Sequence, residues 1–307
     1  MLNRVTNLTM STTAQRTLQA QQSRLAQLQE KATTLDKISR PSDDPAATGQ
    51  ALETRARLAA NAQYGRNIDD GGSWLTAADS ALGQATNVMN RILDLTVQAG
   101  NGALNQAGKD AIAVELEGLN KDLLSIANSK HLGRNIFAGS SDASTAFSAA
   151  VPADPAVPGS TGTPPVFNGV AGGSVERRIS ADRTIRVDAD GVAIFGSGTG
   201  SVFDAVSKTI GSLRKGEDAT VHLGNLQASF KNIVSGRAEI GTRQVQLERA
   251  GNVNTELEAT LDAQKMGIER ADLGSVIMDL KLQETNYQVA LAATARVLQP
   301  TLMDFLR

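Results

Sequence analysis

The sequence predicts a mainly α protein: a long helical bundle or coiled-coil rod formed by the N- and C-terminal arms, with a small β-rich inserted domain. Three observations lead there. Apolar residues recur three and four apart over long stretches at both ends of the chain. Five of the eight prolines fall between Pro152 and Pro165, and five of the seven Phe lie between Phe137 and Phe203, so the middle differs in kind from its flanks. Aromatics make up only 3% of the 307 residues, which suits narrow Leu/Ala helix seams better than one bulky globular core.

In the first arm, Leu18, Gln21, Leu25, Leu28, Ala32 and Leu35 follow heptad spacing, with one side of a helix made apolar. The helix is expected to stop at Ser39-Arg40-Pro41, because the residue before a proline disfavours helix. Ser42-Asp43-Asp44-Pro45 can begin the next. Ser42 or Asp44 caps, the carboxylates suit the positive end of the helix dipole, and proline is tolerated in the first turn. Its seam is Leu75, Ala78, Leu82, Ala85, Met89 and Ile92. Gly71-Gly72 just before that seam should weaken or kink the helix, by about 1 kcal/mol per glycine. Gly100-Asn101-Gly102 marks a stop and a turn. A third seam, Ile112, Leu116, Leu119, Leu123 and Ile126, ends near His131-Leu132-Gly133.

The insert reads as β structure with loops. Ser174–Ile179 and Thr184–Val187 alternate apolar and charged residues, Asp188-Ala189-Asp190-Gly191 reads as a hairpin turn, and Val192–Phe195 is a short apolar run. Pro152–Pro165 reads as an irregular loop. The last arm returns to heptads. Leu257, Leu261, Gln264 and Ile268 form one seam; Val276, Leu280, Gln283, Tyr287, Leu291, Thr294 and Leu298 form another. Gly267 and Gly274 imply a break between them, and Pro300 is expected to end the last helix. The first and last helices would each be about 45 Å long at 1.5 Å per residue. A lone helix with an unburied stripe is marginal, so these must pair with each other or with other copies.

Several function classes fall away. A net charge of -2 offers no electrostatic footprint for nucleic acid. No apolar run approaches the roughly 20 residues of a membrane-spanning helix, so no membrane insertion is expected. The opening MLNRVTNLTMSTTAQ lacks the apolar stretch of a Sec signal peptide. With no cysteine and two histidines, thiolate metal sites and His-based catalysis have little to work with. Gly196–Gly200 lacks the Lys-Ser/Thr ending of a phosphate loop and reads as a flexible connector. Asp188-Ala189-Asp190-Gly191 starts like a calcium loop but has Thr199 where the bidentate Glu belongs. Asp43-Asp44 reads as a cap, Arg177-Arg178 as a solvated face, and His131 and His222 as surface or capping residues. The expectation is therefore no enzyme: no catalytic residues, no metal and no cofactor.

Particular residues carry a family resemblance. Ile38-Ser39-Arg40-Pro41-Ser42-Asp43-Asp44-Pro45-Ala46-Ala47 resembles the loop after the first helix in the bacterial flagellin superfamily. Asn67-Ile68-Asp69-Asp70-Gly71 with Trp74-Leu75, and Leu95 to Asn101, resemble the helix that follows and its end. Leu282–Leu291 and Ala295–Leu306, with Gly133-Arg134-Asn135-Ile136-Phe137-Ala138-Gly139, look like the hook–filament junction branch rather than filament flagellin itself. The resemblance covers both arms, roughly 240 residues, and not the insert.

It implies a domain plan: assembly segments at 1–44 and 269–307, a helical rod domain from 45–138 and 203–268, and an outer β-rich insert at 139–202. It implies a structural flagellar component outside the cell, exported by the type III apparatus rather than by a Sec signal. Its partners would be other copies of itself, the first hook–filament junction protein, flagellin and a cytosolic export chaperone. Leu18, Leu25, Leu28 and Leu35 would then pair with Leu280, Tyr287, Leu291 and Leu298, with Val276 in the same self-assembly stripe. The competing readings are a minor flagellin that forms filament and a cytoplasmic coiled-coil scaffold.

Overall fold

Seven helices dominate the computed structural model, which describes residues 2–102, 104–148 and 165–303. In chain order they are α1 (Leu2–Thr34), α2 (Pro45–Ala99), α3 (Gln106–Ala127), α4 (Gly191–Phe195), α5 (Val202–Arg214), α6 (Leu223–Glu269) and α7 (Leu273–Met303). Among the described residues between α3 and α4 lie two antiparallel hairpins, β1 (Lys130–His131) with β2 (Arg134–Asn135), and β3 (Glu176–Arg178) with β4 (Thr184–Arg186). The mainly α expectation therefore holds. The chain divides into two units: Asn61–Glu256, and the residues up to Ala60 together with those from Leu257 onward.

Most of the fully buried apolar side chains belong to the Asn61–Glu256 unit. The predicted α2 seam is the spine of its core: Leu75, Ala78, Leu82, Ala85, Met89 and Ile92 have no exposed surface. The α3 seam follows with Ile112, Leu116 and Leu123. Asp44 caps α2 as expected, its Oδ1 accepting from the Ala47 N–H at 2.9 Å. Asn105 caps α3 in the same way, through the Gly108 N–H at 2.9 Å.

Helix α2 runs unbroken through Gly71-Gly72, against the expected kink. The glycines allow close packing instead. A Cβ on Gly71 would sit 3.0 Å from Val187 Cγ1, and one on Gly72 would touch Leu247 of α6 at 3.5 Å. Beside them Asp79 pairs with Arg237 of α6 at 2.8 Å, and Asn61 and Asn254 exchange amide hydrogen bonds.

The insert is corrected in three places. Its hairpin is Glu176–Arg178 against Thr184–Arg186, so residues 179–183 turn the chain and Asp188–Gly191 does not. Asp190 caps α4, accepting from the Val192 and Ala193 N–H groups, and the run Val192–Phe195 is helical. An Asp-Gly pair suits a turn and a helix start alike, and here the two free N–H groups decided. Arg177 is half-buried and pairs with Asp70 at 2.6 Å rather than lying in solvent. Residues 198–200 form a 3₁₀ turn leading into α5. Of the Pro152–Pro165 loop, all but Pro165 lies outside the described residues.

Phe137, Phe147, Phe167, Phe195 and Phe203 form one connected ring cluster, with centroids 5.1 to 6.0 Å apart. It belongs to the same hydrophobic core as the α2 seam. Buried Asp188 anchors the hairpin: it accepts two hydrogen bonds from Arg186, both at 2.9 Å, and one from the Val175 N–H at 2.8 Å. The Arg186 guanidinium is held more strongly protonated than usual, chiefly by this bond.

Two stability outcomes are expected in thermal or urea unfolding. Gly72→Ala should stabilise by about 0.5–1 kcal/mol, because it removes a helical glycine where a methyl fits. Gly236→Ala should destabilise by about 1–3 kcal/mol, because its Cβ would lie 2.6 Å from Ile194 Cγ1. Separately, Asp188→Ala should cost about 2–3 kcal/mol by stranding the Arg186 charge and the Val175 N–H. Unchanged unfolding in that variant would mean Asp188 does not anchor the hairpin.

Candidate assembly surface

The two ends of the chain meet in one unit. Gln21 of α1 lies against Gln283 of α7; Ala14 and Leu18 line one groove together with Ala290 and Ala293, and Leu28 lines another together with Asp279. As α1 advances, α7 recedes, so the pair is antiparallel. The helices end earlier and later than the prolines suggest. Helix α1 stops at Thr34, not at Ser39-Arg40, because Leu35 adopts a left-handed φ of 58°. The chain then pairs with the α6–α7 link: the Lys37 N–H donates to Glu269 O at 2.7 Å and the Ala271 N–H to Leu35 O at 2.8 Å. Arg55 of α2 donates to the Glu269 carboxylate at 2.7 Å, a contact that raises the guanidinium pKa. The expected break between Gly267 and Gly274 is found, with α6 ending at Glu269 and α7 starting at Leu273. Helix α7 passes Pro300 and ends at Met303. So near a helix end, proline costs only the bonds of the final turn.

The predicted stripe residues fall on this pair with graded burial. Leu18, Leu25, Leu28 and Leu35 are half-buried, as are Leu280 and Tyr287. Val276 is buried at 6% exposure, and Leu291 remains 43% exposed. The Leu298 side chain lies outside the described residues. Gln283 is buried, and its Nε2 donates to Gln21 Oε1 at 2.6 Å. Their seam positions were legible from heptad spacing; that they bond to each other was not.

A second set was not read from the sequence: Ile277, Met278, Leu282 and Val289 are 46 to 71% exposed along α7. They sit between the seam positions, and the run LGSVIMDLKLQ shows the signal in its apolar residues beyond the heptad. An open groove of about 510 Å³ runs between Met10, Ala14 and Leu18 on one helix and Ala290 and Ala293 on the other. Exposed apolar side chains grouped on one helix are a candidate interaction face.

Titratable groups offer little else. His131 is not a plain surface residue: its ring packs edge-on against buried Trp74, with centroids 5.3 Å apart. His222 Nε2 lies 3.1 Å from Ser212 Oγ. Among the described residues no three acidic or His side chains cluster to hold a metal, and no helix is long and apolar enough to cross a membrane.

Comparison with known proteins shows what the chain is similar to. The family model of the bacterial flagellin N-terminal helical region matches residues 5–142. Over most of its length the chain is similar to the hook-associated branch of that family. It is 25% identical to flagellar hook-associated protein 3 of Salmonella typhimurium, over 86% of this chain and 87% of that one. A flagellar filament 30.7 kDa core protein of Treponema maltophilum is also 25% identical, over 87% and 86%. Among solved structures, a flagellar hook-associated protein from Vibrio parahaemolyticus shares the fold, with a TM-score of 0.64 and 19% identity over 74% of this chain and 99% of that one.

Half-burial of the seam has a dynamic consequence, since local stability follows buried apolar contact. In hydrogen exchange on the isolated protein, amides of α1 and of α7 up to Ala295 should exchange markedly faster than those of Leu75–Leu95. Equal protection in both would show the stripe already sealed within one chain.

Proposed function

We propose that this chain is a structural component of the bacterial flagellum, a junction adaptor between hook and filament that assembles through its terminal helices after type III export. One observation carries the reading: a near full-length likeness to hook-associated protein 3 combined with an α1–α7 seam that one chain covers only by half. The role is mechanical and needs no reaction. Joining two tubular lattices takes extended interlocking surfaces, not a pocket. In this reading residues 1–44 and 269–307 are the assembly segments, the helices of 45–138 and 203–268 form the rod domain, and 139–202 is the outer insert. The stripe from Leu18 to Leu35 and from Val276 to Leu298 meets other copies. The first junction protein lies on one side and flagellin on the other, and a cytosolic chaperone shields the C-terminal stripe before export. Each Leu that another copy fully covers would contribute about 1.5–3 kcal/mol, so several together offset the cost of ordering the ends.

The second reading, a minor flagellin forming filament, draws on the equal likeness to a filament core protein. Epitope labelling on flagellated cells separates the two. A junction protein gives one spot at the hook tip, and Leu282→Asp with Val289→Asp removes the spot while the folded Asn61–Glu256 unit keeps its unfolding transition. Label along the filament, or self-polymerisation of the purified protein into long filaments, would favour the second reading over the first.

A further inference from the structure

Leucines repeated at heptad spacing cannot by themselves say where two antiparallel helices should stop sliding. A slip of one heptad places every seam leucine near another apolar residue. The α1–α7 seam contains one buried element that does not repeat. Gln283, 8% exposed, donates through Nε2 to Gln21 Oε1 at 2.6 Å and also approaches Gln21 O at 3.3 Å. Sliding by seven residues either way would set Gln21 opposite Val276 or Ala290, and Gln283 opposite Ala14 or Leu28. All four are apolar, so the buried Gln283 amide would be left without its partner and half-buried Gln21 would lose its own, a cost that adds to any lost leucine contact.

The same device recurs independently in the other unit. Asn61, 2% exposed, donates from Nδ2 to Asn254 O at 2.9 Å, while Asn254 Nδ2 donates to Asn61 O at 2.9 Å and to Asn61 Oδ1 at 2.8 Å. This pair joins α2 and α6.

We propose that, beyond the main-chain bonds that tie the end of α1 to the α6–α7 link, the Gln21–Gln283 amide pair is a positioning contact that holds the register along the antiparallel α1–α7 pair, and thereby which apolar side chains the two arms present to the next subunit. The first half stands on the geometry within one chain; only the second rests on the assembly role proposed above. Gln21 and Gln283 act through the helices they hold and need not touch a partner.

The chain has no cysteine, so spin labels can be placed without background. Ala26→Cys on α1 and Ala292→Cys on α7 are exposed positions for labelling in the full-length protein. Pulsed electron–electron distance measurement should give one narrow distance with both glutamines present. In Gln21→Leu/Gln283→Leu a second population should appear, displaced along the axis by about 10 Å, the length of one heptad. Gln21→Glu/Gln283→Lys restores a complementary polar pair and should return the single original distance. The proposal is overturned by a broad distribution with the native glutamines, or by an unchanged single distance in the Leu pair. It also falls if the Leu pair loses all defined distance and the Glu/Lys pair does not restore it. These readings come from one isolated chain, so they are decided whether or not the protein sits at a hook tip.

Discussion

A helix of some thirty residues with an apolar stripe along its length cannot be stable alone in water, and two such helices cover each other on one side only. That constraint shapes the ends of this protein. Leu18, Leu25 and Leu28 are half-buried on α1, and Leu282 and Val289 stay exposed on α7, although the two helices lie side by side. In α2, by contrast, Leu75, Leu82, Met89 and Ile92 are fully covered because several elements surround them. The difference is one of neighbours rather than of composition, and further copies of the chain are the neighbours that the proposed assembly would supply.

The middle of the chain needs no such help. Its stability is concentrated where unlike elements meet: the five-Phe cluster, the Asp188 carboxylate with three hydrogen bonds, and glycines that let α2 approach α6 and Val187. None of these is a pocket for a small molecule. They lie within the Asn61–Glu256 unit, whose core is covered by its own elements.

How much was legible varied with the range of the deciding interaction. Heptad seams, the Asp44 cap, the stop at Gly100–Gly102 and the break before α7 all depend on residues within a turn or two, and the sequence shows them directly. The errors came where a distant partner overrode a local signal. Leu35 turns left-handed early because Lys37 and Ala271 bond across to the opposite strand of chain. Gly71-Gly72 read as a weakness, yet Leu247 and Val187 use the space that the missing side chains leave. Arg177 read as solvated until Asp70, more than a hundred residues away, met it.

Sequence alone determined the mainly α class, the heptad stripes at both ends and the resemblance to the flagellin superfamily, because periodicity and short motifs are local properties of the chain. Only the tertiary structure decided that α1 and α7 run antiparallel, that Gln21 meets Gln283, and that Ile277, Met278, Leu282 and Val289 are left uncovered. Register and coverage are relations between segments some 260 residues apart. A repeating apolar pattern is compatible with several such relations, and only the packed side chains select one of them.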